Sequence, residues 1–339
     1  MSARQASLLF VIGSDQPTEM TDDGRPGYRG CTDLHRLFEK REPVHVLRLD
    51  RHALRQRKRP ELAPYRCVLN LITDPDQNPR VLENLKKLLR EYSGKVLNPP
   101  EAVLRSTRDQ ISRLLADVPG FVAPKVLRLR NARPDLAIPA IERAGLRFPL
   151  IVRLAGTHTG AILGRFDSFD ELRAALTMQG DHIVTEFVDF QSADGLYRKY
   201  RAFFFGDRII FRHMIVSDNW NVHARDRMRF MVEHPELLAE EAEMFAESHG
   251  AFPAEVIKTL EAVLERMQLD YFGMDFGIAQ DGRIVLFEAN ATMNFFPFLA
   301  DPRFEYLKRC ARPAQQAFHQ MLGCNSSISA GPAIRQLAL

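Results

Sequence analysis

Short apolar runs alternate with amphipathic stretches through the first hundred residues. The runs are short enough for buried strands, and residues 78–92 instead repeat their apolar positions at helical spacing. This alternation predicts a parallel sheet with covering helices. The predicted strands are 8–12, 44–49, 67–72 and 95–98.

The pattern changes after residue 105. Ser106 and Thr107 can cap a helix over 108–115, and a glycine-bearing loop at 155–160 interrupts the strands that follow. The predicted strands are 125–129, 150–154, 161–166 and 182–187, and the helices are 135–144 and 168–178.

Longer strands are typical of the last part of the chain. Strands 199–205 and 208–216 are separated only by Gly206 and Asp207, which predicts an antiparallel hairpin. Helices 235–248 and 254–267 precede a second hairpin within 271–293. We therefore expect an α/β protein with α+β lobes, divided into domains 1–105, 106–188 and 189–325 and a tail, 326–339.

The second hairpin carries oxygen-bearing side chains on otherwise apolar strands. Glu288 and Asn290 are two residues apart and point the same way, and Asp275 lies on the partner strand across the turn Asp281-Gly282. Buried carboxylates are costly unless they are paired, and hard divalent cations are common partners. The hairpin therefore predicts a magnesium site that serves a nucleotide; the alternative is an edge hairpin with solvated acids.

Basic residues on apolar strands indicate where an anion binds. Arg153 ends a strand just before the loop 155–160, and Arg201 and Arg212 face apolar neighbours in paired strands. A guanidinium grips phosphate or carboxylate with a rigid fork. The loop offers backbone amides and hydroxyls to phosphate, although a plain hairpin turn explains it equally well.

Composition narrows the class of protein. The 339 residues are 45% hydrophobic and 26% charged, with a net charge of +3, which does not by itself imply nucleic acid. The basic run 48–59 fits a solvated helix face better than an RNA patch. The four cysteines form no CxxC pair, no signal peptide precedes the first strand, and no apolar run could span a membrane. We expect a cytoplasmic protein with no nucleic-acid or membrane partner.

The order of these features resembles the ATP-grasp superfamily, which includes D-alanine–D-alanine ligase, glutathione synthetase and the ribosomal-protein glutamate ligases. Asp275 followed by Glu288-Ala-Asn290 matches the superfamily's magnesium signature. Segments 96–108, 150–160, 185–188 and 199–201 resemble its entry to the nucleotide lobe, its second nucleotide-binding strand with lid, its adenine hinge and a later basic element. The chain looks most similar to a branch that is sometimes fused to tetratricopeptide repeats, although no repeats occur here.

The resemblance implies an N-terminal pre-ATP-grasp lobe and two lobes that sandwich ATP. It implies an ATP-dependent carboxylate–amine ligase that works through an acyl phosphate and releases ADP and phosphate. It also implies Mg²⁺ as cofactor, as two ions for which Mn²⁺ can substitute, and a carboxylate and an amine, small molecules or peptides, as substrates. Superfamily members are often dimers, so a homodimer is an open expectation.

Site residues follow from the same resemblance. The metal ligands are Asp275, Glu288 and Asn290, and the catalytic residues are Arg201 and Arg212, which neutralise the γ-phosphate and the acyl phosphate. Asn221 and His223 are substrate candidates. The ATP-binding residues are Arg108, Arg153, Thr157, His158, Thr159, Gly160, Glu186, Phe187, Val188, Asp189 and Lys199, with Asp189 directed to the ribose.

Two departures keep other functions open. The superfamily usually has lysines where this chain has Arg108 and Arg153, and a fork differs from a point charge. A phosphotransferase acting on a small molecule and a non-catalytic nucleotide-binding protein are the two alternatives. Residues 73–78 follow a predicted parallel strand, so they either face an acceptor substrate or simply cap the next helix.

Overall fold

The computed structural model describes residues 7–17, 19–20, 26–39, 43–49, 60–131, 133–156, 162–176, 180–323 and 335–336. Most of the basic run 48–59 and the loop residues Thr157, His158, Thr159 and Gly160 lie outside these ranges, so their predicted roles stay predictions.

An all-parallel sheet builds the N-terminal lobe, as the alternating pattern predicted. The central strand β1 has β4 on one side and β5 on the other. A short antiparallel pair, β2 and β3, lies apart from it. The strands are β1 Ser7–Gly13, β2 Glu19–Met20, β3 Pro26–Gly27, β4 Val44–Leu49, β5 Tyr65–Asn70 and β6 Lys95–Leu97. The helices are α1 Pro79–Leu88 and α2 Pro100–Leu104, with 3₁₀ turns at Leu34–Leu37 and Leu89–Glu91.

A four-stranded antiparallel sheet forms the second unit, in the order β10-β9-β11-β8. Ser168 caps its last helix, accepting a hydrogen bond from Glu171 N at 3.4 Å in the manner of a capping box, and this helix was predicted over 168–178. The elements are α3 Arg108–Leu114, β7 Phe121–Val122, β8 Val126–Leu129, α4 Pro134–Arg143, β9 Leu150–Leu154, β10 Gly164–Phe166, α5 Phe169–Ala175 and β11 His182–Glu186.

The third sheet has the order β13-β12-β14-β15-β7 and carries the predicted magnesium hairpin. The elements are β12 Tyr197–Phe205, β13 Arg208–Ser217, α6 Asp226–Arg229, α7 Pro235–Glu247, α8 Ala254–Met267, β14 Tyr271–Ile278, β15 Ile284–Asn290 and α9 Ala311–Leu322, with 3₁₀ turns at Met231–Glu233, Ser248–Ala251 and Pro302–Cys310. Helix α8 packs with Phe204 of the long strand β12, and helix α9 packs with Phe203 and Phe205, which point to the other face.

Asn98 ties the N-terminal lobe to the third sheet. Its side chain is buried, donates to the carbonyl of Tyr271 and accepts from the amide of Tyr271, both at 2.9 Å. The backbone of Asn98 also donates to Asp270 at 2.7 Å. These bonds satisfy the first residue of β14 and so fix the start of the strand that carries Asp275.

Several features differ from the sequence prediction. Helix α2 is not among the predicted elements; it begins at Pro100, because proline is well tolerated at the first helical position. Strand β7 pairs with β15, so the predicted lid segment 106–188 contributes to two sheets. Within the predicted tail, Arg335–Gln336 pairs with β4 as β16. The domain bounds therefore remain predictions. None of the helices in the described part of the chain is long and apolar enough to cross a membrane.

Candidate nucleotide site

Two adjoining cavities lie where the three sheets approach one another. One has a volume of about 800 Å³ and runs between the second and third sheets. The other has a volume of about 700 Å³ and reaches the N-terminal lobe at Asp74, Pro75 and Asp76. Arg108, Arg153 and Glu288 line both cavities. We call the first the base cavity, the second the acceptor cavity, and these three residues the shared wall.

The β14–β15 hairpin brings the three predicted metal ligands onto one face. Asp275 pairs directly with Glu288, and Asn290 lies two residues further along β15. The amide nitrogen of Asn290 donates to Glu288 Oε1 at 2.9 Å. The connecting loop is longer than a two-residue turn, and a bulge follows Asp275, yet the predicted side-chain face is retained.

These oxygens suit a magnesium ion in type, since two carboxylates and one amide share a face. They already have protein partners. Arg201 contacts both carboxylate oxygens of Asp275, at 2.5 and 2.7 Å, and Arg108 Nη2 lies 2.7 Å from Glu288 Oε1. The side-chain oxygen Oδ1 of Asn290 accepts hydrogen bonds from the backbone amides of Thr292 and Met293, both at 2.9 Å.

Asp275 is buried beside two cations. Burial opposes its ionisation, but the neighbouring Arg201 and Lys199 charges hold its pKa below the usual value. Lys199 Nζ lies 3.9 Å from Asp275 Oδ2, and burial lowers the pKa of this lysine. The pair of Arg201 and Asp275 is set by strand register, because the two residues are direct partners between β12 and β14.

Arg108 and Arg153 form an unusual like-charged pair in the shared wall. Arg108 begins α3 and also donates to the carbonyl of Phe287. The Nε atom of Arg153 is buried and has no hydrogen-bond partner among the residues that the structure describes. The Arg108 charge, together with burial, lowers the pKa of Arg153 to about 9. Two adjacent guanidiniums with an unsatisfied donor are a strained arrangement that an anion would relieve.

The predicted hinge lines the base cavity. Glu186, Phe187 and Val188 all contribute to its wall, and Glu186 Oε1 accepts from the amide of Arg147 at 2.9 Å. The amides of Glu186 and Phe187 donate to the carbonyls of Lys125 and Pro149. These bonds hold the hinge against its neighbours and leave its side chains facing the cavity.

Sequence reasoning missed the aromatic side of this cavity. Trp220 lines the wall with its ring 5.4 Å from that of Phe187 in an edge-to-face arrangement. Arg165 lies over the Phe187 ring at 4.3 Å and over the Trp220 ring at 5.9 Å. The available signal was the chain's single tryptophan, flanked by two asparagines in a polar loop. Asn221, a predicted substrate residue, also lines this cavity.

Four predicted site residues, Arg201, Arg212, Asp189 and His223, are not among the residues that line the two cavities, and Arg201 instead contacts Asp275. Arg212 lies in a bulge opposite Arg201, so the alternation of side chains along the strand does not predict which face its side chain occupies. Its guanidinium donates to the carbonyls of Phe295 and Pro297, both at 3.0 Å. Asp189 is exposed and accepts from Gln191 N, and His223 N donates to Asp226 at the start of α6.

The loop at 73–78 lines the acceptor cavity, whereas the first amides of helix α1 donate to Asp15 and not to this loop. Asp74 accepts from the amides of Asp76 and Gln77 at 2.9 and 3.1 Å. Gln77 donates to the carbonyl of Gly156 at 2.9 Å, and Asp76 pairs with Arg128 at 2.9 Å. The N-terminal lobe therefore contacts the loop between β9 and β10 and the strand β8.

Comparisons with known proteins agree with this architecture. The chain is similar to a D-Ala:D-Ser ligase from Enterococcus faecalis, with 12% identity, 94% of this chain and 99% of that chain covered, and a TM-score of 0.55. It is also similar to a RiPP-associated ATP-grasp ligase from Chryseobacterium gregarium, in complex with ADP and a leader and core peptide, with 11% identity, coverage of 94% and 97%, and a TM-score of 0.53.

No known family profile and no curated protein sequence matches the chain. At these identities the structural likeness concerns the fold alone. That fold is the ATP-grasp fold, which confirms the resemblance found in the sequence motifs.

Proposed function

We propose that this protein is an ATP-dependent ligase that joins a carboxylate to an amine through an acyl phosphate, releasing ADP and phosphate. The observation that carries the proposal is the pair of Arg108 and Arg153 in the shared wall. The unsatisfied Nε donor of Arg153 and the excess of two guanidiniums over the single carboxylate of Glu288 favour a polyanion where the two cavities share residues. Nucleotide phosphates fit that description.

The base cavity is the candidate nucleotide pocket. Phe187, Val188 and Trp220 offer an apolar, aromatic wall for adenine beside Glu186, and Arg108, Arg153 and Lys199 line the same cavity and are available to the phosphates. Both structural neighbours described above are ligases by name, and one is bound to ADP. The loop residues 157–160 remain proposed phosphate contacts.

Asp275, Glu288 and Asn290 are the residues that would hold Mg²⁺. When bound, the ion supplies charge neutralisation between phosphate oxygens. The protein's own contribution is positioning: Arg201 lies beside the same face and can stabilise negative charge that develops during phosphoryl transfer. Arg212 is then a positioning residue for the loop that follows β15, rather than a catalytic one.

The acceptor cavity is the candidate site for the carboxylate and the amine. It shares Arg108, Arg153 and Glu288 with the base cavity, so a carboxylate there would lie close to the proposed phosphate end. Its lining mixes apolar and polar residues, with Asp74 and Asp76 on the side of the N-terminal lobe. Peptide or small-molecule substrates both remain within this proposal.

The test is a screen of carboxylate and amine pairs for ADP release, with products identified by mass spectrometry. A ligase releases ADP only when both substrates are present, and it yields an amide. ADP release with one acceptor and a phosphorylated product would instead establish a phosphotransferase. A melting temperature that rises with Mg-ATP while no product forms would indicate a binding protein.

A double variant tests the metal assignment. Asp275→Asn with Glu288→Gln should abolish turnover, because it removes both carboxylates from the hairpin face. Arg198→Met is the matched control, since Arg198 lies on the same strand as Arg201 but pairs with Asp194 and Glu240. Unchanged turnover in the double variant would show that the metal, if any, binds elsewhere.

A further inference from the structure

The proposed phosphate end of the base cavity contains more positive than negative side chains. Arg108, Arg153 and Lys199 line it, Arg201 contacts the lining residue Asp275, and Asp275 and Glu288 are the acids among the proposed ligands. Each of these acids is in contact with an arginine. A metal ion in this nucleotide-free arrangement would therefore meet carboxylates that are already neutralised, in a region with excess positive charge.

The two arginine–carboxylate pairs are held firmly. Arg201 makes two hydrogen bonds to Asp275, which is only 5% exposed, and strand pairing sets the two residues opposite each other. Arg108 is anchored by its second nitrogen to the Phe287 carbonyl. Such forked, partly buried pairs are stronger than exposed ones.

Nucleotide phosphates reduce the excess of positive charge in this region, whereas a metal ion would increase it. Arg108 and Arg153 share the single carboxylate of Glu288, and the oxygens of a nucleotide diphosphate or triphosphate supply further negative charge, including an acceptor for Arg153 Nε, which has no partner among the described residues. Once arginine donors turn toward phosphate, oxygens of Asp275 and Glu288 become available to a cation. Nucleotide binding therefore precedes metal binding, because an arginine donor of the free protein needs a partner and the two carboxylates already have one.

We infer that the nucleotide binds this chain without a divalent ion, and that the carboxylates of the hairpin accept the ion only afterwards. This inference rests on the proposed function, since it assumes that the base cavity is the nucleotide site. Binding of the phosphates is then carried by four basic side chains, and the metal is needed for chemistry rather than for affinity.

The test measures ADP binding to the full chain by calorimetry, in excess EDTA and in excess MgCl₂. We expect the two dissociation constants to differ by less than about tenfold, which corresponds to about 1.4 kcal/mol. A loss of affinity of tenfold or more in EDTA would overturn the inference while leaving the proposed function intact. No binding in either buffer would instead defeat the proposed function.

The variant Arg201→Met is expected to make ADP binding depend on Mg²⁺, unlike the wild type. Arg201→Met leaves both oxygens of Asp275 without their guanidinium partner, so ADP binding should become at least about tenfold tighter with Mg²⁺ than with EDTA. Arg198→Met, the control on the same strand, should behave like the wild type. Thermal melting in the absence of nucleotide checks that each variant is folded, and an unfolded Arg201→Met leaves the wild-type comparison decisive.

A direct metal measurement gives an independent readout. Mn²⁺ is added to the nucleotide-free protein, and the amplitude of its free-ion paramagnetic resonance signal is followed. The wild type should leave the signal unchanged at equimolar concentrations. A marked loss of free Mn²⁺ with the wild type, reversed by Asp275→Asn, would show a resident metal site and overturn the inference.

Discussion

Arg153 is the residue at which stability and binding are most clearly opposed. Its Nε donor has no partner, and the adjacent Arg108 charge disfavours its ionised form. Active and binding sites commonly contain such strain, which a ligand relieves. The free protein is therefore expected to be less stable than it would be with an apolar side chain at this position.

We predict that Arg153→Met raises the melting temperature of the nucleotide-free protein by a few degrees, equivalent to about 1 kcal/mol. The same variant should weaken ADP binding by about tenfold or more, because a charge-assisted contact is lost. Differential scanning fluorimetry and calorimetry measure the two effects. Arg130→Met, at an exposed position just after β8, should change neither; a lower melting temperature for Arg153→Met would contradict the prediction.

Sequence reasoning succeeded at residues whose role depends on local alternation. Asp275, Glu288 and Asn290 were placed on one face from strand periodicity and pairing alone, and the structure has them there. It did not predict the surroundings of Arg212. This residue is the extra one where β13 pairs with β12, and the alternation of side chains along one strand does not reveal such a bulge. Trp220 was missed because a loop residue acquires its neighbours only through the tertiary fold.

Among the elements, the β14–β15 hairpin depends on one turn residue. Gly282 has a φ of +84°, and a Cβ atom built there would meet no other atom. Any cost of substitution is therefore conformational rather than steric crowding. Its loop is closed by the amide of Ala279, which donates to the carbonyl of Arg283 at 2.9 Å.

We predict that Gly282→Ala destabilises the protein by about 1 kcal/mol, since alanine disfavours positive φ. Gly282→Asn should cost less, because asparagine tolerates the left-handed region better. Chemical denaturation compares the two variants with Gln280→Ala, an exposed substitution in the same loop. Equal losses for alanine and asparagine would show that backbone conformation is not the cause.

Elements of regular amphipathic pattern were predicted closely, including helix α8 Ala254–Met267 and strand β9 Leu150–Leu154. Very short elements were not. Strand β7 has only two residues, too few to show a hydrophobic periodicity in the sequence. It forms a strand because its backbone pairs with β15.

In the whole molecule, Arg128 connects units that are distant in sequence. Its side chain contacts Asp76 of the N-terminal lobe at 2.9 Å and Asp109 of α3 at 3.1 Å, and it is largely buried. The positive charge of Arg128 helps to lower the pKa of Asp109 against the cost of burial. The contacts of Arg128 with Asp76 and Asp109 could not be predicted from the sequence, because only the packing of separate lobes brings these residues together.

We predict that Arg128→Met lowers the free energy of unfolding by about 2 kcal/mol, because two partly buried carboxylates lose a shared partner. Hydrogen exchange should accelerate in β8 and in residues 73–78. Asp76→Asn should have a smaller effect, since Asp109 keeps its pair. Exchange that rises equally across all described elements would indicate general destabilisation and not a loosened contact between the lobe and β8.

The pairing of β7 with β15 also bears on how the chain can be divided. Phe121–Val122 covers part of one edge of the strand that carries Glu288 and Asn290, although it lies more than 160 residues earlier. A fragment beginning after residue 122 would leave backbone amides and carbonyls of that apolar strand open to other molecules. Such open edges recruit further strands, so a catalytic fragment trimmed at the apparent domain border would be prone to self-association.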